Sequence, residues 1–221
     1  MVSRPLAPRP PRLPTALSAA EIPRLDDEFE WLAVETAGDF SGHSATNCEI
    51  SESLVRGARF VGTTLDRVRV RDTIFESCDL SGASLVDAAF TRVEFRNCKM
   101  SAIDLAGARM LDVLVNDSKL DNANCRMISG DHVLFERVSL SSSDFYAAGL
   151  AHAQFLDCDL TSTQFSQAEL AGVRLHGSKL EGLQGAIQLR NAIIDSTQVL
   201  PLALGVFAAL DIRIDDDRGD D

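Results

Sequence analysis

Three residues with metal-binding chemistry recur at one interval: Asp112, His132 and His152 stand twenty residues apart in turn. If that interval stacks them, one carboxylate and two imidazoles could hold a divalent metal. The same column also carries Glu52, Asp72, Arg92 and Gly172, a mixture that reads as a solvated face. A metal-dependent activity at His132/His152 therefore ranks last among the readings, and no metal or cofactor is assigned. Cys48, Cys78, Cys98, Cys125 and Cys158 show neither a CxxC nor a Cys/His spacing. They read as buried small side chains of a protein in a reducing compartment, the cytoplasm. No phosphate loop, dinucleotide loop or nucleophile elbow is present, so no catalytic residue is assigned and the chain reads as a non-enzyme.

The interval comes from a shorter period. Every fifth residue from Phe40 to Leu180 gives 29 positions, and 26 of them are Leu, Ile, Val, Phe or Met. The residue two before each is mostly small, as at Ala58, Cys78, Ala83, Cys98, Ser143 and Thr163. Five is neither the helical period nor the strand period. It demands a chain that turns a corner every five residues, with a large and a small side chain facing inward on each side. Four sides close a square coil, and stacked coils pair like parallel strands about 4.8 Å apart. Seven coils would stand roughly 34 Å tall.

Charge supplies a test of that closure. Asp39, Arg59, Asp79 and Lys99 alternate at intervals of twenty, as do Asp72, Arg92 and Asp112, and Asp117, Arg137 and Asp157. Between residues 39 and 180, twelve pairs at this spacing are opposite in charge and two are alike. Opposite charges attract at strand spacing, so the bias reports the register.

The five-residue unit, in Cys78-Asp79-Leu80-Ser81-Gly82 and Ile103-Asp104-Leu105-Ala106-Gly107, resembles that of the pentapeptide-repeat family. The resemblance covers residues 38–182. It implies an all-β solenoid, a right-handed quadrilateral parallel β-helix, here with a C-terminal helical cap.

Outside the repeat the composition changes. Residues 1–16 hold five of the seven prolines and three arginines, and read as a disordered or extended arm. Its basic charge either folds back on the acidic body or does nothing, and the second is the default. Residues 17–37 read as an N-terminal cap in which Phe29 and Trp31 close the open end. The solenoid is assigned to 38–194, with its weak point at Cys125 and Gly130. There the expectation is a repacked coil, refilled in part by Ile128, or else a bent coil marking a notch. Residues 195–214 are assigned to a helical cap and dimerisation segment capped by Asp195 or Ser196, with Pro201 kinking or splitting it. Residues 215–221 form an acidic tail.

The net charge of −12 speaks against direct nucleic-acid binding through a basic surface. The longest apolar run, near residues 199–210, is too short to span a membrane. The primary functional expectation is a rigid scaffold for an unidentified protein partner. Leu54, Ile74, Leu114 and Leu134 fall in one outward column and are assigned to that partner, unless residues 15–37 fold over them. The C-terminal segment resembles one that forms a homodimer interface in the mycobacterial relative of the family, which assigns Leu202, Val206, Phe207 and Leu210 to dimerisation. The resemblance also implies an alternative, imitation of duplex DNA and binding of DNA gyrase. Residues 39–180 carry 19 acidic and 14 basic residues, many predicted to be paired, which suits a phosphate mimic poorly.

Overall fold

The computed structural model describes residues 7–19, 25–213 and 215. Its body is a parallel β-solenoid of about seven turns. The strands in chain order are β1 (Ser18–Ala19), β2 (Glu30–Leu32), β3 (Val34–Thr36), β4 (Glu49–Ser51), β5 (Leu54–Arg56), β6 (Arg69–Glu76), β7 (Ala89–Arg96), β8 (Arg109–Asn116), β9 (Ser129–Glu136) and β10 (Gln154–Leu156). β6 to β9 pair in a register of twenty, with Phe75 on Phe95, Val115 and Phe135 in succession. Isolated parallel bridges such as Ser84 to Asp104 carry the same register around the other sides.

The five-residue period works because each unit has one corner and two inward side chains. Corner residues adopt left-handed backbone, for example Asn97 at φ 52°, Asp112 at φ 56° and His132 at φ 53°. That conformation disfavours most side chains by roughly 1–2 kcal/mol, and Asn, Asp, His and Gly tolerate it best. The inner large residues offset this cost, at about 1.5–3 kcal/mol per buried Phe or Leu. Phe75 and Phe95 stack at 5.0 Å and 10°, and Phe135 and Phe155 at 4.9 Å and 8°. The small inner residues do more than fit. Thr63, Cys78, Cys98, Ser143, Cys158, Thr163 and Ser178 each donate to a carbonyl 23 residues earlier, on the coil below. Buried hydroxyls and thiols thereby find partners without leaving the core.

At the suspected weak point the core is closed. A Cβ on Gly130 would lie 2.6 Å from Val133 Cγ2 and 2.9 Å from Leu150 Cδ2. Those side chains, with the fully buried Ile128, take up the missing volume. The repacked coil is the arrangement found.

Both ends leave the register of twenty by one residue. Trp31 pairs with Ile50 and Glu35 with Leu54, while Arg174 pairs with Ile193. Trp31 is buried and packs against Phe29, Phe40 and Phe60, covering the open end of the core. At the other end Asp195 caps a short turn in a capping box with Gln198. Helix α1 (Val199–Ala209) follows without a break. Pro201 neither kinks nor splits it, because it lies in the first turn, where its missing N–H has no intrahelical acceptor to lose.

Residues 7–16 fold back on the acidic body, the alternative to the default that their charge does nothing. They lie along the solenoid wall: Arg9 is held by Asp112, and the Arg12 N–H donates to Asp72 at 3.0 Å. Ser18 and Ala19 then pair with Val34 and Glu35 as an extra rung. The physical reason is that Arg92 already forks onto Asp72, which leaves Asp112 without a guanidinium until Arg9 supplies one.

Candidate functional site

The column assigned to a partner lies where the repeat places it. β5 to β10 set Leu54, Ile74, Glu94, Leu114, Leu134 and Gln154 side by side. All four of the assigned apolar residues are half-buried. The column is divided by Glu94, which is buried and held by Arg96 Nε at 2.7 Å. It therefore presents two apolar pairs, Leu54/Ile74 and Leu114/Leu134, on either side of an ion pair. An outer hollow of about 570 Å³ opens around the other side of the wall, between Ala89, Arg109, Leu111, Ser129, Asp131 and Glu169.

The corner column beside this wall is the polar counterpart. Asp72 accepts both Nε and Nη2 of Arg92 at 2.6 Å. Burial alone would raise its carboxyl, but the Arg92 fork and the Arg12 N–H outweigh it and hold the group below the usual carboxylate range. Asp112 behaves alike: burial pushes up, and the Arg9 guanidinium and N–H pull the carboxyl lower. Arg9 Nε lies 2.7 Å from Asp112 Oδ2, and His132 Nδ1 lies 3.3 Å from Oδ1 without hydrogen-bond alignment. His152 sits under Gly172, where a Cβ would be 2.6 Å from its Nδ1. Among the described residues no three His, Cys, Asp or Glu side chains gather as a metal site would require. Burial pushes the Cys158 thiol up to about 12 and the Cys125 thiol higher still, so neither is ready for chemistry.

Helix α1 and the residue that ends it, Leu210, hold five of the ten exposed large apolar side chains among the described residues. The four residues assigned to dimerisation divide between its faces. Leu202 and Val206 are partly buried and pack against the end of the core. Phe207 and Leu210 are exposed, joined by Val199, Leu200 and Leu204 of the same apolar run. The helix is apolar all round, so its sequence has no polar side to mark which face looks outward. The inner face is chosen by its anchors: Gln198 donates to the carbonyls of Leu175 and Ser178, the second at 2.7 Å, and Asp195 accepts from Gly177 N at 2.7 Å. Beneath the helix a groove of about 810 Å³ runs between Leu183, Ile187, Leu200, Leu204, Gly205 and Ala208. Gly205 lets the helix approach, its Cβ position being 3.4 Å from Ala186 Cβ.

Among the described residues no helix is long and apolar enough to cross a membrane. Residues 48–125 match the family described as the pentapeptide repeat region, and residues 143–182 match eight copies of pentapeptide repeats; together these span just over half of the chain. No curated protein sequence matches the chain. Among solved structures, a trypsin-treated variant of QnrB1, a plasmid-mediated fluoroquinolone resistance protein, is 22% identical with a TM-score of 0.45, over 86% of this chain and 99% of that one. HetL, a pentapeptide-repeat protein involved in heterocyst differentiation regulation from the cyanobacterium Nostoc, is 16% identical with a TM-score of 0.32, over 78% of this chain and 90% of that one.

Proposed function

The chain belongs to the pentapeptide-repeat family, and from that premise we propose that it is a non-enzymatic binding scaffold that works as a homodimer joined through α1. The observation that supports this reading is the outer face of the helix. Leu200 is 69% exposed, Leu204 49% and Leu210 56%. Residues 196–210 contain no charged side chain, in a chain of net charge −12. Two acidic copies repel each other elsewhere, and this patch lets them approach without that penalty. It is also self-complementary, because Leu200 and Leu204 line a hollow with Gly205 and Ala208 while exposed Phe207 and Leu210 stand outside it. A knob and a hollow on one patch suit a two-fold contact.

A dimer so joined would hold two solenoids end to end, each offering its wall of Leu54, Ile74, Leu114 and Leu134 to a protein partner. The alternative, a duplex imitator that binds DNA gyrase, asks for runs of uncompensated carboxylates. No column at spacing twenty has three carboxylates in succession, and Asp72, Asp117 and Asp159 each face a cation. The scaffold reading is preferred for that reason.

Sedimentation velocity tests the dimer. The wild-type chain should sediment at twice its 23.9 kDa mass. Phe207→Glu with Leu210→Glu should sediment as a monomer with its thermal midpoint little changed, because both side chains are exposed and neither lines the groove beneath the helix. A wild type that stays monomeric at tens of micromolar would overturn the reading.

A further inference from the structure

The arm that lies on the corner column is bound there in a way that a loose tail is not. From residue 8 to residue 14 the chain reads Pro-Arg-Pro-Pro-Arg-Leu-Pro, so only residues 9, 12 and 13 have a backbone N–H. Two of those three N–H groups donate to buried carboxylates: Arg9 to Asp112 at 3.1 Å and Arg12 to Asp72 at 3.0 Å. The Arg9 guanidinium adds Nε and Nη2, both 2.7 Å from Asp112 Oδ2.

The spacing explains why both contacts form at once. A polyproline helix rises about 3.1 Å per residue, so Arg9 and Arg12 are separated by roughly 9.3 Å along its axis. Asp72 and Asp112 are two coils apart, which at strand spacing is about 9.6 Å. One turn of a proline-rich strand therefore matches two coils of the solenoid, and prolines hold the strand extended before it binds, which lowers the ordering cost. The receptor side is equally shaped. Asp72 is 4% exposed and Asp112 1% with the arm in place, and Arg92 between them is committed to Asp72. Without the arm, Asp112 would keep His132 alongside it and Arg92 nearby, with no guanidinium bonded to it.

We propose that the Asp72–Asp112 column is a peptide-recognition site for an extended Arg-Pro-Pro segment, and that residues 7–14 of this chain are its resident, exchangeable occupant. The tether gives the resident arm a high effective concentration, so it screens both carboxylates. A partner segment takes the site when it presents an arginine with N–H groups at its own position and three residues on, separated by prolines. The site is distinct from the α1 face and from the apolar column, and it stands whether or not the chain dimerises.

Amide exchange and an NMR titration on the full chain test it. In the wild type, the Arg9 and Arg12 amides should exchange at least tenfold more slowly than in a free peptide of residues 7–19. Asp112→Asn should remove the protection at Arg9, and Asp72→Asn that at Arg12. The Arg9→Ala chain should then bind the unlabelled peptide of residues 7–19 saturably, with shifts clustered on residues 72, 92, 112 and 132. The wild type should bind it at least tenfold more weakly, because its own arm competes. Wild-type amides that exchange like the free peptide would overturn the proposal. So would an Arg9→Ala chain whose shifts are indifferent to the peptide, or equal binding after Asp112→Asn is added.

Discussion

The two segments that lie outside the repeat attach to it by opposite physics. The N-terminal arm has prolines and arginines, and it binds the side of the solenoid through one ion pair and two N–H donors. The C-terminal helix has no charge at all and covers the end of the core with Leu202 and Val206. The helix end needs a large apolar contact, because the last coil would otherwise open its core to water. The wall needs no cover for burial, since each coil there is already paired above and below. What it does have is Asp112, which takes its guanidinium from Arg9 because Arg92 is committed to Asp72. Apolar closure is therefore a condition of folding at the end, whereas polar docking on the wall is an adjustable addition.

That contrast can be broken at the closure first. Gly185 has φ 78°, and a Cβ there would lie 2.5 Å from Ser166 N and 2.6 Å from the Phe165 carbonyl carbon. Gly185→Ala should lower stability by about 2–3 kcal/mol in urea unfolding, since strain and clash add. The arm amides should remain protected in the folded fraction. If Gly185→Ala released the arm as well, the two attachments would be one unit.

Acid should do the reverse. Asp72 faces Arg92, Arg71 and the Arg12 N–H; Asp112 faces Arg9 and His132, with Arg92 nearby. Both carboxyls are held below their ordinary value in the folded protein, so their contribution is complete above about pH 4. It fades as the pH falls through the lowered values. The resonances of residues 9 and 12 should move to random-coil positions between about pH 5 and pH 2, while those of Leu202 and Val206 stay in place. Asp195, also held low by Thr197, would lose its cap over the same range but not the apolar contact. A helix that left before the arm would reverse the comparison.

The smallest effect is expected on the exposed ladder. Arg137 bonds Asp117 at 2.7 and 3.0 Å, with both side chains about half exposed. Arg137→Ala should leave the thermal midpoint unchanged within error, because water and salt screen such pairs. A clear drop would mean that the surface ladders share in stability instead of only reporting the register.

Much of this was legible because the repeat is local. Phe75 on Phe95, the Asp72–Arg92 and Asp117–Arg137 pairs and the column of Leu54, Ile74, Leu114 and Leu134 all follow from counting by twenty. The same counting assigns Arg92 to Asp112 as well as to Asp72, and there it fails. A guanidinium has one fork, and Arg92 gives it to Asp72. Arg9, 103 residues from Asp112 in sequence, takes the vacancy, and no period links the two. The one-residue shifts at both ends, with Trp31 on Ile50 and Arg174 against Ile193, were visible only as a loss of phase.

By itself the sequence determined the coil, its register, the inner residues and the corners, because each depends on neighbours five or twenty residues away. It also determined that α1 is apolar, and that Asp195 or Ser196 stands where a cap is needed. Only the tertiary structure decided which face of α1 looks outward and where the arm lies. An all-apolar helix is oriented by what it docks on, here through Gln198 and the end of the core. A proline-rich strand has no internal hydrogen bonds to place it, so its position is set by the carboxylates that accept its few N–H groups.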